Sequence, residues 1–349
     1  MLLRYGKDTK MIKRIFSKRD LKLPIIGGLI TAASLLSTTV SAAVEIDINQ
    51  LRQQSKIMFG TLSETMPGSE NDTPAMVELG KTLFMDERLS VNDSQSCNSC
   101  HQVGNYNGTG VDNEATSPGA LPGTKGDRNS PTVWNSGFQM AQFWDGRAED
   151  LKEQAKGPIL NPVEMGMPSE EAVETKISKI AEYQISFKHA FGKDNAISYD
   201  NIAQAIAAFE RTLITSDRFD DFMSGDDQAM TKSELKGLQT FINTGCSACH
   251  NGATLGGNMY QKMGLVNQYP HQEDLGRYKV TGLENDKMMF KVPMLRDVSR
   301  SAPYFHDGRV ETIEQAIYDM AWYQLGQKLS TQQVDDIATF LNALEHQTH

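Results

Sequence analysis

Cys97-Asn-Ser-Cys100-His101 and Cys246-Ser-Ala-Cys249-His250 decide how this chain of 349 residues is to be read, because the two segments hold all four of its cysteines. A Cys-x-x-Cys pair followed at once by His is the attachment pattern of a c-type haem. Two thioethers two residues apart fit the two vinyl groups along one haem edge, and the next residue, His, then lies under the iron as its proximal ligand. At this Cys and His content one copy arises by chance in roughly one chain in a thousand, and two copies far more rarely. A zinc site or a thioredoxin-like redox pair would use the same residues. Neither needs His directly after the second Cys in both copies.

Outward from the motifs, composition is that of an ordinary globular protein, 39% hydrophobic and 22% charged, with 28 Gly and 12 Pro. Disordered, collagen-like and multi-span membrane classes are excluded on that basis. Residues 1–24 carry eight Lys/Arg against Asp8 and Asp20, and Pro24 to Val40 runs without charge to the small residues Ser41 and Ala42. This predicts a signal peptide over residues 1–42, cut between Ala42 and Ala43, and so export to the periplasm. An uncleaved anchor is the alternative. The charged stretch is long enough that Met11 could serve as the start. Without residues 1–42 the chain keeps 26 basic and 42 acidic side chains, a net charge of −16. Such acidity argues against nucleic acid as a partner and suits a basic protein.

Apolar residues at helical spacing predict helices over 75–84 and 232–241, each leading into a haem motif, and over 201–213 and 332–344. Gly104 to Gly126 reads as a long loop. The sequence also repeats at an offset of 162. Pro131 meets Pro293, Phe143 meets Phe305, Asp145-Gly-Arg147 meets Asp307-Gly-Arg309 and Leu151 meets Ile313. The expected fold is therefore mainly α: two cytochrome c-like haem domains with long loops, at 43–216 and 217–349. Gln142-Phe-Trp-Asp-Gly-Arg147 and Tyr304-Phe-His-Asp-Gly-Arg309 differ at Trp144 against His306, so the copies share a framework but not all their chemistry.

Taken together, Cys97 to His101, Arg128-Asn-Ser-Pro-Thr132, Gln142 to Arg147, Glu153-Gln-Ala-Lys-Gly-Pro158, Val163-Glu-Met165, Gly245-Cys-Ser-Ala-Cys-His-Asn-Gly252 and Ala302-Pro-Tyr-Phe-His306 resemble the bacterial dihaem cytochrome c peroxidases, relatives of the MauG enzymes. The resemblance runs from about Leu79 to Leu344. It implies a periplasmic homodimer that reduces hydrogen peroxide to water with electrons from a small cytochrome c or cupredoxin. A MauG-like dihaem oxidase acting on a protein substrate, and a non-catalytic dihaem electron carrier, are the other classes in play.

The resemblance assigns roles residue by residue. His101 and His250 would be proximal ligands, and Met320 the axial ligand of the C-terminal, electron-transfer haem, with Met288, Met289 and Met294 as competitors. A thioether ligand favours reduced iron and raises the potential, whereas a haem with one protein ligand keeps a face for substrate. Glu164 and Gln154 match the catalytic pair of the N-terminal, peroxidatic haem. Peroxide heterolysis needs a group that carries a proton from the near oxygen to the far one and a donor that steadies developing charge. Phe143 and Met165 would shape that pocket. Trp144 would lie between the haems, in a redox role or as a core aromatic. A calcium ion between the domains would be held by Asn129, Ser301 and Pro303. One feature departs from the pattern: many of these enzymes block the oxidised N-terminal haem with a loop histidine, and Thr116 to Gly126 contains none. The site is then open, or Met165, Met167 or a more distant group fills it.

Overall fold

A computed structural model describes residues 46–347, so the predicted signal peptide lies outside the described residues. The fold is mainly α. Helices α1 (Ile48–Phe59) and α2 (Pro74–Met85) precede the one-turn α3 (Cys97–Cys100). A stretch whose one helical turn is the 3₁₀ segment Ser136–Phe138 leads to α4 (Leu151–Leu160), α5 (Glu170–Ser178), α6 (Ala181–Phe191) and α7 (Tyr199–Glu210). Next come α8 (Arg218–Ser224), α9 (Lys232–Thr244), strand β1 (Tyr260–Lys262), α10 (Tyr278–Thr281), strand β2 (Met289–Lys291), α11 (Ile313–Leu325) and α12 (Thr331–Asn342). The two strands pair antiparallel. Among the described residues no helix is long and apolar enough to cross a membrane.

The predicted helices form where the apolar spacing places them, with ends set by capping side chains. Thr73, Ser198, Thr231 and Ser330 each accept a backbone N–H at the start of α2, α7, α9 and α12. Two of these helices end earlier than the apolar pattern: α7 at Glu210 and α12 at Asn342. Leu213 and Leu344 lie beyond the helix ends, yet both are fully buried.

Buried side chains fall into two main clusters. The first draws on Leu79 through Leu213; the second joins Phe219 through Leu344 to Leu51 and Phe59 of α1. Each is organised around one close helix crossing. A Cβ placed on Gly80 of α2 would lie 1.8 Å from the Ala205 carbonyl oxygen of α7, and one on Gly237 of α9 would lie 2.0 Å from that of Asp336 in α12. Four residues on, Phe84 meets Phe209 with ring centroids 5.2 Å apart, and Phe241 meets Phe340 at 5.4 Å. Glycine is required at both crossings because the facing backbone leaves no room for a methyl group.

The 162-residue repeat is visible in the backbone. Asn135 and Asp297, Phe143 and Phe305, and Gly146 and Gly308 all have left-handed φ, between 57° and 71°. The isolated bridges Gln142 with Ala148 and Tyr304 with Val310 recur at the same offset. The copies also bond each other reciprocally. The Asn129 N–H donates to the His306 carbonyl at 2.9 Å, and the N–H of its counterpart Lys291 donates to the carbonyl of Trp144, the counterpart of His306, at 2.8 Å.

Candidate haem sites

The first motif coils into α3, and His101 caps it by donating its backbone N–H to the Cys97 carbonyl at 2.9 Å. The second forms a short 3₁₀ turn at Cys246–Ala248 after α9, and the His250 N–H bonds the Cys246 carbonyl at 3.0 Å. Each turn presents both thiols and the imidazole to one cavity. The first cavity measures about 460 Å³ and the second about 230 Å³.

Both imidazoles are oriented from behind. The Nδ1 atom of His101 lies 3.1 Å from the Pro131 carbonyl oxygen, and that of His250 lies 3.2 Å from the Leu255 carbonyl oxygen. A backbone carbonyl on Nδ1 leaves Nε2 as the free ligand atom, the arrangement expected of a metal-binding histidine. Burial keeps both rings neutral, taking His250 down to about 4 and His101 below its ordinary value. Burial also pushes the thiols up, Cys100 to about 11 and Cys246 to about 12, so neither is a ready thiolate. Among the described residues no group of three or more His, Cys, Asp or Glu is close enough together to hold a metal ion. Two thiols, one oriented imidazole and an adjoining cavity fit a haem in each copy.

The first cavity gathers the remaining residues of the expected peroxidatic site. Gln154 reaches it from α4, and Glu164 from the turn that follows. Glu164 is anchored at its backbone, where its N–H donates to the Asn161 carbonyl at 3.0 Å and its carbonyl accepts from Ala120 at 2.6 Å. That second bond ties the loop lacking histidine to the backbone of Glu164. Burial raises the Glu164 pKa, against the opposing pull of Arg147 and an Asn161 hydrogen bond, and its Oε2 has no partner. A carboxyl group so placed holds its proton more readily than one in water. Met165 lines the same cavity, whereas Met167 is buried in the first core. Among the described residues His101 is the one histidine on its wall.

The second cavity is lined by His250, by Met320 from α11, and also by Met294 and Met263. Met288 is buried away from it, beside Met263 and Tyr269. Asn129, Ser301 and Pro303 are also among its lining residues. The Asn129 amide nitrogen donates to the Glu114 carbonyl at 3.0 Å. Trp144 and Phe143 form part of both cavity walls. The Phe143 ring is covered by the Arg147 guanidinium, 3.4 Å from its centroid.

Two residues on these walls escaped the reading of the sequence. Glu210, at the end of α7, is buried in the first cavity with Oε2 unpartnered, and burial pushes its pKa up to about 8. Lys291, at the end of β2, is buried in the second. The repeat offers a signal for Lys291, because it stands 162 residues after Asn129; Glu210 reads in sequence as an ordinary helix residue.

A two-copy cytochrome-like fold with one histidine-backed cavity per copy defines a di-haem protein. The profile of the family described as di-haem cytochrome c peroxidase matches residues 74–228. The cytochrome c551 peroxidase of Pseudomonas aeruginosa is 43% identical over 328 residues, covering 90% of this chain and 92% of that protein. The cytochrome c551 peroxidase of Nitrosomonas europaea is 46% identical over 271 residues, covering 77% and 79%. Among solved structures, a MauG-like protein associated with microbial copper homeostasis superposes with a TM-score of 0.71 at 26% identity, covering 82% of this chain and 93% of that one. This chain belongs to the di-haem cytochrome c peroxidase family, a family of haem peroxidases with two haems per chain.

Proposed function

We propose that this protein is a periplasmic peroxidase that reduces hydrogen peroxide to water at the first cavity, with electrons delivered by a small cytochrome c or cupredoxin through the second. The observation that carries the reading is the convergence of Glu164 and Gln154 on the cavity of His101, with a buried Glu164 oxygen left without a partner. The reaction takes two electrons and two protons per peroxide and yields two waters. A haem bound through Cys97 and Cys100 supplies the iron at which the O–O bond is cleaved. Glu164 accepts the proton of the near peroxide oxygen and returns it to the far one, while Gln154 donates a hydrogen bond that steadies developing charge. Loss of water from the cavity strengthens both contacts.

The same reading gives the second copy its tasks. Cys246 and Cys249 would attach a haem held by His250 and Met320, and Trp144 would provide the contact between the two sites. Residues 43–216 and 217–349 are then the two haem domains, although α1 packs in the core of the second. A calcium ion held by Asn129, Ser301 and Pro303, a homodimeric state and export by the predicted signal peptide complete the proposal. The test is oxidation of reduced cytochrome c by the purified holoprotein in the presence of peroxide. Two cytochromes oxidised per peroxide are expected; two haems per chain with no peroxide-dependent oxidation of any small donor would overturn the proposed reaction.

A further inference from the structure

Lys291 ends β2 with its side chain 6% exposed, on the wall of the second cavity. Its ammonium donates to the neutral Gln139 side-chain oxygen, and no carboxylate pairs with it among the described residues. The other cation on that wall is fully matched: Arg296 bonds Asp217 at 2.5 Å and Asp220 at 2.7 Å. A buried, singly bonded ammonium is costly to keep charged, and burial alone brings its pKa down to about 8. The repeat sharpens the point. At the same backbone position, with the same N–H bond to the opposite copy, the first copy has the neutral Asn129. The first cavity is instead lined, beside the ion-paired Arg128, by Glu164 and the buried Glu210, each with an unpartnered carboxyl oxygen. The two cavities therefore differ in the kind of buried group left short of a partner, carboxyl in the first and ammonium in the second.

We propose that Lys291 is the anion anchor of the second cavity, pairing with a carboxylate of the haem bound there and holding that haem's reduction potential above that of the first. The pairing supplies the counter-charge that the protein itself withholds from Lys291. In a low-dielectric cavity a fixed positive charge favours the reduced iron, which carries one positive charge fewer. Incoming electrons are thereby directed to the second haem, and Lys291 acts as a positioning residue for the carboxylate rather than as a catalytic one. The inference rests on the reading that a haem fills the second cavity.

The experiment uses holoprotein of the wild type and of Lys291→Arg, Lys291→Gln and Lys291→Met. Haem content by the pyridine haemochrome method tests the underlying reading separately: a wild-type chain with fewer than two haems removes it and the inference with it. Spectroelectrochemical titration then follows each haem. Lys291→Gln and Lys291→Met are expected to shift the high-potential step downward and leave the low-potential step in place, while Lys291→Arg keeps the wild-type value. Lys291→Gln retains a polar contact for Gln139, so the decision does not depend on the Met variant folding. An unmoved high-potential step in the neutral variants, or an equal fall in Lys291→Arg, would overturn the proposal.

Discussion

The indole N–H of Trp144 donates to the carbonyl oxygen of Asn129 at 2.8 Å, so the ring shared by the two cavities is held by the segment that shapes both. His306 stands steeply inclined to it, with ring centroids 6.3 Å apart. An aromatic side chain clamped by its polar edge keeps one orientation, and the space between the cavities keeps one geometry.

Glu164→Gln preserves volume and removes the proton carrier. Peroxide consumption should fall by roughly 10²- to 10⁴-fold, the range for loss of a general acid–base group. The acceptor form of Glu164 is the ionised one, and burial raises its pKa. Wild-type turnover should therefore decline as pH falls through that raised value, and this limb should vanish in the variant. Steady-state kinetics against pH check both; a loss of less than a few-fold would make the carboxyl group structural.

Met320→His should leave both haems attached and lower the potential of the second, because a harder nitrogen replaces a thioether. Turnover should fall with it. Redox titration is the measurement, and an unchanged high-potential step would point to Met294, which lines the same cavity.

With His101 the one histidine on the first cavity wall among the described residues, the fully oxidised enzyme should bind cyanide at that haem without a slow phase and turn over without a lag. Stopped-flow mixing of oxidised and half-reduced protein should give the same rate. Binding that becomes fast only after one-electron reduction would show a blocking group, and Met165→Leu would then identify or clear the sulfur on the wall.

Gly237→Ala places a methyl group where the Asp336 carbonyl oxygen stands 2.0 Å away, so α9 and α12 must move apart. A loss of stability of about 1–3 kcal/mol is expected, as for other overpacked cores. A chemical denaturation midpoint equal to that of the wild type would contradict the crossing as described.

The haem motifs, the four helices that frame the cores and the repeat could all be read from local signals: spacing, apolar period and identity at a fixed offset. The backbone repeats what the residues announce, down to the left-handed φ shared by Phe143 and Phe305. Other features depend on contacts distant in sequence. The pairing of β1 with β2 joins two three-residue segments too short to carry an alternation. Glu210 and Lys291 look like ordinary charged residues until the cavities close over them. The helical pattern of α1 says nothing about which core it enters, and its proximity in sequence to the first motif suggests the wrong one.

That placement of α1 bears on the order in which the chain can become native. Phe59 rests edge-on against Phe219 at 5.7 Å, and Arg52 donates to the Phe222 carbonyl at 2.8 Å. A polypeptide emerging N-terminus first exposes this helix long before α8 exists to receive it. The first core draws on residues between Leu79 and Leu213 alone, whereas the second cannot close until α8, α9 and α12 are present to enclose α1. A chain cut before α8 would therefore leave Leu51 and Phe59 of α1 without their partners in that core.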